Sequence, residues 1–275
     1  MKDIAVELGP IQETLLIPLL GRAEETLKKR ALLRDPKAVE IVGRLNYDFS
    51  KWHGTSSLVG ACVRARLFDA IVMSFLKENP EGTVVEIGAG LNTRYERLDN
   101  GTARWVELDL PDSMALRREF FEDTERRTLV TGSVTDPEWH TAVGDGPVCF
   151  VSEAVLIYLD GDQVKDVFAQ LLERFSGAWV VMDTVSSKMV DSQAKHDAMR
   201  KLSEESWFRW KCDDPANLHE WGLWLQRSQT FLDASDEIVE DMPWAYQMIT
   251  RYAPWLIRRQ VSGYRINRFV LGPPE

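Results

Sequence analysis

Glu86-Ile87-Gly88-Ala89-Gly90 puts a carboxylate and two glycines at the end of the β-branched run Thr83-Val84-Val85. Glycines there permit a tight turn and let a ligand approach the backbone closely. The helix expected behind them would offer free amides at its N-terminus. A lone Gly-x-Gly also serves as a plain structural turn, so its neighbours must decide. The sixth position of a dinucleotide fingerprint, where a third glycine belongs, is Thr93, which disfavours a nicotinamide dinucleotide. Glu107 and Asp109 stand about twenty residues past the first glycine, where a nucleoside-binding fold places an acid on the ribose hydroxyls. Their spacing puts both on one strand face. Only the later one reaches the carboxyl edge of a sheet, so Asp109 is the expected ribose ligand.

The other chemistry-bearing residues are scattered. His53, His140, His196 and His219 fall in no motif, and Cys62, Cys149 and Cys212 have neither disulfide nor zinc spacing. No metal site is expected, and the cysteines fit reduced thiols in a cytoplasmic protein. Six tryptophans, Trp207, Trp210, Trp221, Trp224, Trp244 and Trp255, crowd the second half. They suit packing anchors or the flat walls of a small-molecule pocket. The basic residues Lys28, Lys29, Arg30, Arg34, Arg258 and Arg259 read as solvated faces, one of which could meet an anionic acceptor.

The elements that must position these groups follow from periodicity. Apolar spacing predicts a helix over 14–33, broken at Pro18 and punctuated by Gly21. A short helix runs from Pro36 through Val42 with Asp35 as its cap, and a longer one covers 59–76. Strands then alternate with helices. The strands lie at 83–87, 103–108, 128–131, 148–151 and 179–183, and the helices at 92–98, 112–125, 136–142 and 162–174. That alternation predicts a parallel sheet with right-handed crossovers. A polar, largely helical stretch over 187–220 interrupts it, and late strands at 224–231 and 264–271 can pair antiparallel at a sheet edge. The chain has 275 residues, 44% of them hydrophobic, which suits one large α/β domain. A net charge of -10 repels phosphate backbones, so nucleic acid is not an expected partner. No apolar run reaches about 18 residues, so no membrane span is expected. Met1-Lys2-Asp3-Ile4 lacks a basic head followed by a long apolar stretch, so a signal peptide is not expected.

Five segments resemble the leucine carboxyl methyltransferase family, and within it the bacterial branch of polyketide O-methyltransferases of the tetracenomycin type. They are 84–94, 106–111, the run Ser152-Glu153-Ala154-Val155-Leu156-Ile157-Tyr158-Leu159, and the N-terminal segments 14–23 and 33–38. The resemblance covers about 10–185. It implies a Rossmann-like class I α/β fold, with a mostly parallel seven-stranded sheet and helices on both faces. An N-terminal helical lid would span 1–60, and the core would run over 61–275 with a helical insertion at about 187–222. It implies S-adenosylmethionine as cofactor. Arg64 then matches an arginine that holds the donor's methionine carboxylate, as a guanidinium fork can. Gly88 and Gly90 match the glycine turn that follows the acid Glu86, and Asp109 matches the ribose acid. Ser133 and Val134 match the pair at the adenine edge, although relatives often carry an acid where Ser133 stands. Glu153 matches a glutamate near the methionine part, and Tyr158 a tyrosine facing the transferred methyl.

The acceptor implied is an oxygen on a small metabolite, aromatic or polyketide-like. A carboxylate is ionised at neutral pH and needs no general base, whereas a phenol or alcohol needs one. His53 and His196, in the lid and the insertion, are the candidates for that base. A protein C-terminal carboxylate stays open as acceptor, as do a non-catalytic module that only holds the donor and, more remotely, a dehydrogenase. The oligomeric state stays open.

Overall fold

The computed structural model describes residues 3–273, so Met1 and Lys2 of the N-terminal reading lie outside the described residues, as does the side chain of Arg259. The N-terminal part pairs β1 (Ile4–Ala5) in parallel with β2 (Leu45–Asn46), around the helices α1 (Leu16–Thr26) and α2 (Pro36–Arg44). This region was expected to be purely helical. A two-residue pairing has too little alternation to register as a strand. Pro18 does not break α1, because it falls in the first turn, where no intrahelical donor is needed. The helix stops at Thr26 rather than near residue 33. There the Arg34 guanidinium takes the carbonyls of Thr26, Lys28 and Lys29. Asp35 caps α2 as expected, accepting the Ala38 amide at 2.9 Å.

The long helix α3 (Ser56–Glu78) leads into β3 (Thr83–Ile87). The alternation then proceeds through α4 (Arg94–Leu98), β4 (Arg104–Asp109), α5 (Pro111–Arg118), β5 (Arg127–Thr131), β6 (Val148–Ser152), α6 (Gly161–Arg174) and β7 (Trp179–Val185). A 3-10 helix, Pro137–Ala142, stands in place of the helix expected at 136–142. After β7 come α7 (Ser187–Asp191), β8 (Leu223–Gln229), α8 (Asp236–Asp241), α9 (Trp244–Tyr252), α10 (Trp255–Val261) and β9 (Tyr264–Leu271).

The large sheet has the order β5-β4-β3-β6-β7-β9-β8. The pairs from β5 to β7 are parallel, and β9 runs antiparallel between β7 and β8. Strand order reverses beside β3, and ligands bind outside the carboxyl ends of strands at such a switch point. Adjacent residues of β3 feed opposite cores. Val84 packs with Phe68, Phe75 and Val181, and Val85 with Phe150, Phe168 and Val180, so the sheet is covered on both faces. A third cluster joins Leu16, Leu19, Ile41 and Trp52 to Leu91, Met114 and Phe121. The N-terminal part therefore shares its core with the segments that follow β3 and β4.

The stretch after β7 departs from the expected helix. It holds only the short α7 and 3-10 turns at Gln193–Lys195, Met199–Lys201, Glu204–Ser206 and Pro215–Trp221. Its Ser and Asp side chains compete for the backbone: Asp214 accepts the Ala216 amide, and Ser192 donates to the Lys188 carbonyl. Among the described residues no helix is long and apolar enough to cross a membrane.

Candidate functional site

The turn after β3 is built for close approach. Gly88 and Gly90 have φ of +67° and +48°, a region that L side chains rarely adopt. A Cβ on Gly88 would lie 2.3 Å from the Val155 Cγ2. The amides of Gly88 and Ala89 donate to the Leu108 carbonyl on β4. The turn's carbonyls are held by two buried arginines. Arg117 Nη1 donates to Gly90 and Asn92, and Arg22 Nη2, from α1, donates to Leu91 at 2.7 Å. Asp109 Oδ2 accepts the Gly90 amide at 2.5 Å, and Oδ1 accepts the Leu110 amide at 2.7 Å. Burial raises the Asp109 carboxyl, against those two amides, which lower it. Glu107 is buried between Arg117 and Arg127 at 2.7 and 2.9 Å, so Asp109 is the acid left at the sheet edge.

Beneath the turn lies a buried charge network centred on Arg94. Its Nη1 meets both Glu86 oxygens at 2.6 and 2.8 Å, its Nε meets Asp69 at 2.8 Å, and its Nη2 meets Glu153 at 2.6 Å. The other Glu153 oxygen accepts from Arg64 Nε at 2.7 Å. Arg64 Nη1 donates to the Tyr264 hydroxyl at 3.3 Å, and Tyr264 donates to Asp183. Arg64 Nη2 has no hydrogen-bond partner among the described residues. Burial opposes ionisation of Glu153, yet Arg64 and then Arg94 pull its carboxyl down to about 2. Burial pushes Asp183 up to about 6, against the pull of Arg64 and of the Tyr264 hydroxyl. The Glu86 carboxyl is raised by burial against its Arg94 partner. Glu86 borders the cavity, but both its oxygens are engaged by Arg94.

A cavity of about 350 Å³ opens over the turn. Of the residues singled out from the sequence, Arg64, Glu86, Gly88, Gly90, Asp109, Ser133, Val134, Glu153, Tyr158 and His196 all border it. His53 does not. It sits on the surface against Glu24 at 2.5 Å, because the 3-10 turn Phe49–Trp52 buries Phe49 and Trp52 and leaves the next residue outside. Tyr158 donates to Thr14 Oγ1 at 3.4 Å and packs edge-on against Phe208. His196 Nδ1 is buried 3.5 Å from Asp197 Oδ1 and makes no hydrogen bond among the described residues.

The apolar lining of the cavity includes Leu15, Met189, Met199, Leu202, Phe208 and Phe231. None of the tryptophans expected as possible walls takes part: Trp210 stacks on Trp221, and Trp244 and Trp255 are exposed. Tyr264, Asp183 and most of these apolar walls fall in no motif, and Arg94 lies in the block 84–94 with no role read from it. Their partners lie far off in the chain, and the walls come from segments without a period. The donor set fits S-adenosylmethionine. It offers a glycine cradle that a Cβ would fill, a carboxylate with spare lone pairs for a diol, and a guanidinium with a free N–H edge for a carboxylate.

Residues 16–172 match the family described as leucine carboxyl methyltransferase. The chain is 27% identical over 234 residues to the tetracenomycin polyketide synthesis O-methyltransferase TcmP of Streptomyces glaucescens, covering 83% of this chain and 86% of that protein. It is 26% identical over 277 residues to the S-adenosyl-L-methionine-dependent methyltransferase dpfgK of Gibberella zeae, covering 91% and 92%. Among solved structures it resembles a duf574 family protein from Streptomyces avermitilis, with a TM-score of 0.59, 17% identity, and 85% and 95% coverage. It also resembles the N-methyltransferase NodS of Bradyrhizobium japonicum in complex with S-adenosyl-L-homocysteine, with a TM-score of 0.50, 9% identity, and 97% and 100% coverage. At such identities these two likenesses speak for the fold alone.

Proposed function

The chain belongs to the leucine carboxyl methyltransferase family and is an S-adenosylmethionine-dependent methyltransferase, and we propose that it methylates a carboxylate oxygen of a small aromatic or polyketide-like acid. Asp109 would accept the ribose hydroxyls with the lone pairs its two amide partners leave free. Arg64 would hold the methionine carboxylate through Nη2, and Glu153 would face the α-ammonium. Ser133 and Val134 would line the adenine edge. Glu86 supports the site from below by fixing Arg94. Residues up to about 60 serve as a lid, and the segment over 187–222 borders the acceptor.

The bound donor supplies an electrophilic methyl group on a sulfonium, so alignment of the acceptor accounts for much of the catalysis. The protein's share is to hold the acceptor oxygen in line, exclude water, and orient it through the Tyr158 hydroxyl. One observation carries the carboxylate reading. Among the described residues no Asp or Glu outside the donor set lines the cavity to act as a base, and much of the remaining wall is apolar. A carboxylate acceptor needs no base. A phenol or alcohol reading is favoured instead by His196, which borders the cavity and whose Nδ1 has no hydrogen-bond partner among the described residues. The test is a donor-consumption screen over small acids and phenols, followed by mild base treatment of the methylated product. A methyl ester hydrolyses and regenerates the acid. A base-resistant product, together with loss of turnover in His196→Ala while donor binding persists, would overturn the carboxylate reading in favour of the phenol.

A further inference from the structure

We infer that Asp183 is a positioning residue that holds both supports of the donor's amino-acid end from behind the cavity wall. Asp183 lies on β7, fully buried, and does not itself border the cavity. It reaches two residues that do. Its Oδ1 and Oδ2 accept the Ala154 amide at 3.0 and 2.9 Å, and Oδ2 also accepts the Tyr264 hydroxyl. Ala154 directly follows Glu153, and Tyr264 accepts from Arg64 at 3.3 Å. One carboxylate thus fixes the backbone beside Glu153 and the hydroxyl beside Arg64.

The Ala154 arm has an independent signature. Among the described residues Ala154 is the only non-glycine with positive φ, at +56°. A residue with a Cβ keeps that conformation only where its surroundings impose it. Here the amide is fixed by a bidentate acceptor across from it. Such strained backbone gathers at sites whose side chains must be aimed, and the side chain aimed here belongs to Glu153, shared between Arg64 and Arg94. Were Asp183 merely a buried polar group satisfied by chance, a glycine at 154 would serve the turn better and the alanine's strain would have no counterpart.

The inference rests on the reading that Arg64 and Glu153 hold the donor, and the experiment separates the two. In the full chain, Asp183→Asn keeps the shape but removes the charge, and its Nδ2 in either orientation faces the Ala154 amide, another donor. It should weaken binding of S-adenosylmethionine and S-adenosylhomocysteine about tenfold by calorimetry, the effect of one lost charge-assisted contact. Donor KM should rise more than kcat falls. Ala154→Gly added to Asp183→Asn should recover several-fold of that loss, since glycine takes positive φ without being held. Tyr264→Phe should weaken donor binding through the Arg64 arm alone, and Ala154→Gly should not relieve it. Wild-type donor affinity in Asp183→Asn, or no recovery with Ala154→Gly, overturns the inference. If Asp183→Asn does not fold, Tyr264→Phe decides: unchanged donor affinity in that variant overturns the inference. If Arg64→Ala and Glu153→Gln bind the donor like wild type, the donor-site reading itself fails. If those two lose affinity while Asp183→Asn keeps it, only the inference does.

Discussion

At the scale of single residues, the site depends on charges removed from water yet almost fully paired. Glu153 shows the balance. Burial alone would raise its pKa, and the guanidiniums of Arg64 and Arg94 reverse that, so its folded pKa lies at about 2 against an ordinary 4.5. A carboxyl depressed by folding stabilises the protein fully above its unfolded pKa and loses that stabilisation as pH falls through the folded one. Acid unfolding should therefore steepen between about pH 4.5 and 2, and Glu153→Gln should flatten the dependence in that window. At neutral pH the same change leaves Arg64 without its acidic partner and weakens the set around Arg94. A stability loss on the order of 3 kcal/mol is expected. Denaturant unfolding of both proteins across the pH series checks this. An identical slope in both would show that Glu153 is not the group whose protonation matters.

At the scale of elements, the turn after β3 is where local sequence and distant packing agree. Both glycines have positive φ, but their surroundings differ. A Cβ at Gly90 would meet Leu15 Cβ at 3.3 Å, which a small shift of the N-terminal part can relieve, whereas a Cβ at Gly88 would lie 2.3 Å from Val155 Cγ2. Gly88→Ala should accordingly lower the thermal midpoint and the donor affinity more than Gly90→Ala. Adding Val155→Ala to Gly88→Ala should restore part of both. Equal effects of the two single changes, by thermal unfolding and donor titration, would mean that φ alone sets the damage. Much of this region is legible in the sequence. The β-branched run 83–87 coincides with β3, Asp35 caps α2 as its position dictates, and the acid-Gly-x-Gly pattern locates the turn. What is illegible lacks a local pattern. Arg94 gathers Asp69, Glu86 and Glu153 from three separate elements, so no spacing announces it. The helix expected to 125 stops at Arg118, because Phe120 and Phe121 turn inward to the cluster under the N-terminal part. The helices between β8 and β9 have six, nine and seven residues, too few for a helical period to stand out.

At the scale of the whole molecule, the residues that line the cavity have different origins. Asp109 and Arg64 come from the sheet's carboxyl edge and α3, whereas Leu15, Met199 and Leu202 come from the N-terminal part and the segment after β7. Those outer parts must be held in place for the acceptor pocket to exist. The N-terminal part is held by apolar packing, since it shares Leu91, Met114 and Phe121 with the core. The later segment is short of helix and is tied down by a polar latch instead. Asp197 accepts from the amide and hydroxyl of Ser56 at 2.7 and 2.8 Å, and from the amide and hydroxyl of Ser57, at the first turn of α3. A carboxylate there satisfies amides that a helix start leaves open and meets the positive end of its dipole. Burial would raise this acid, but the Ser57 and Ser56 hydrogen bonds, then His196, hold it near 2, so the latch stays charged at neutral pH. Its neighbours His196, Ala198 and Met199 border the cavity. Asp197→Ala should therefore free this segment without disturbing Asp109, Arg64 or Glu153. The expected result is faster limited proteolysis within 187–210 and a raised acceptor KM, with donor affinity and the thermal midpoint little changed. Unaltered proteolysis and acceptor KM would show that packing of Met199 and Leu202 holds the segment unaided. A parallel loss of donor affinity would show that this segment and the donor site are coupled rather than separately built.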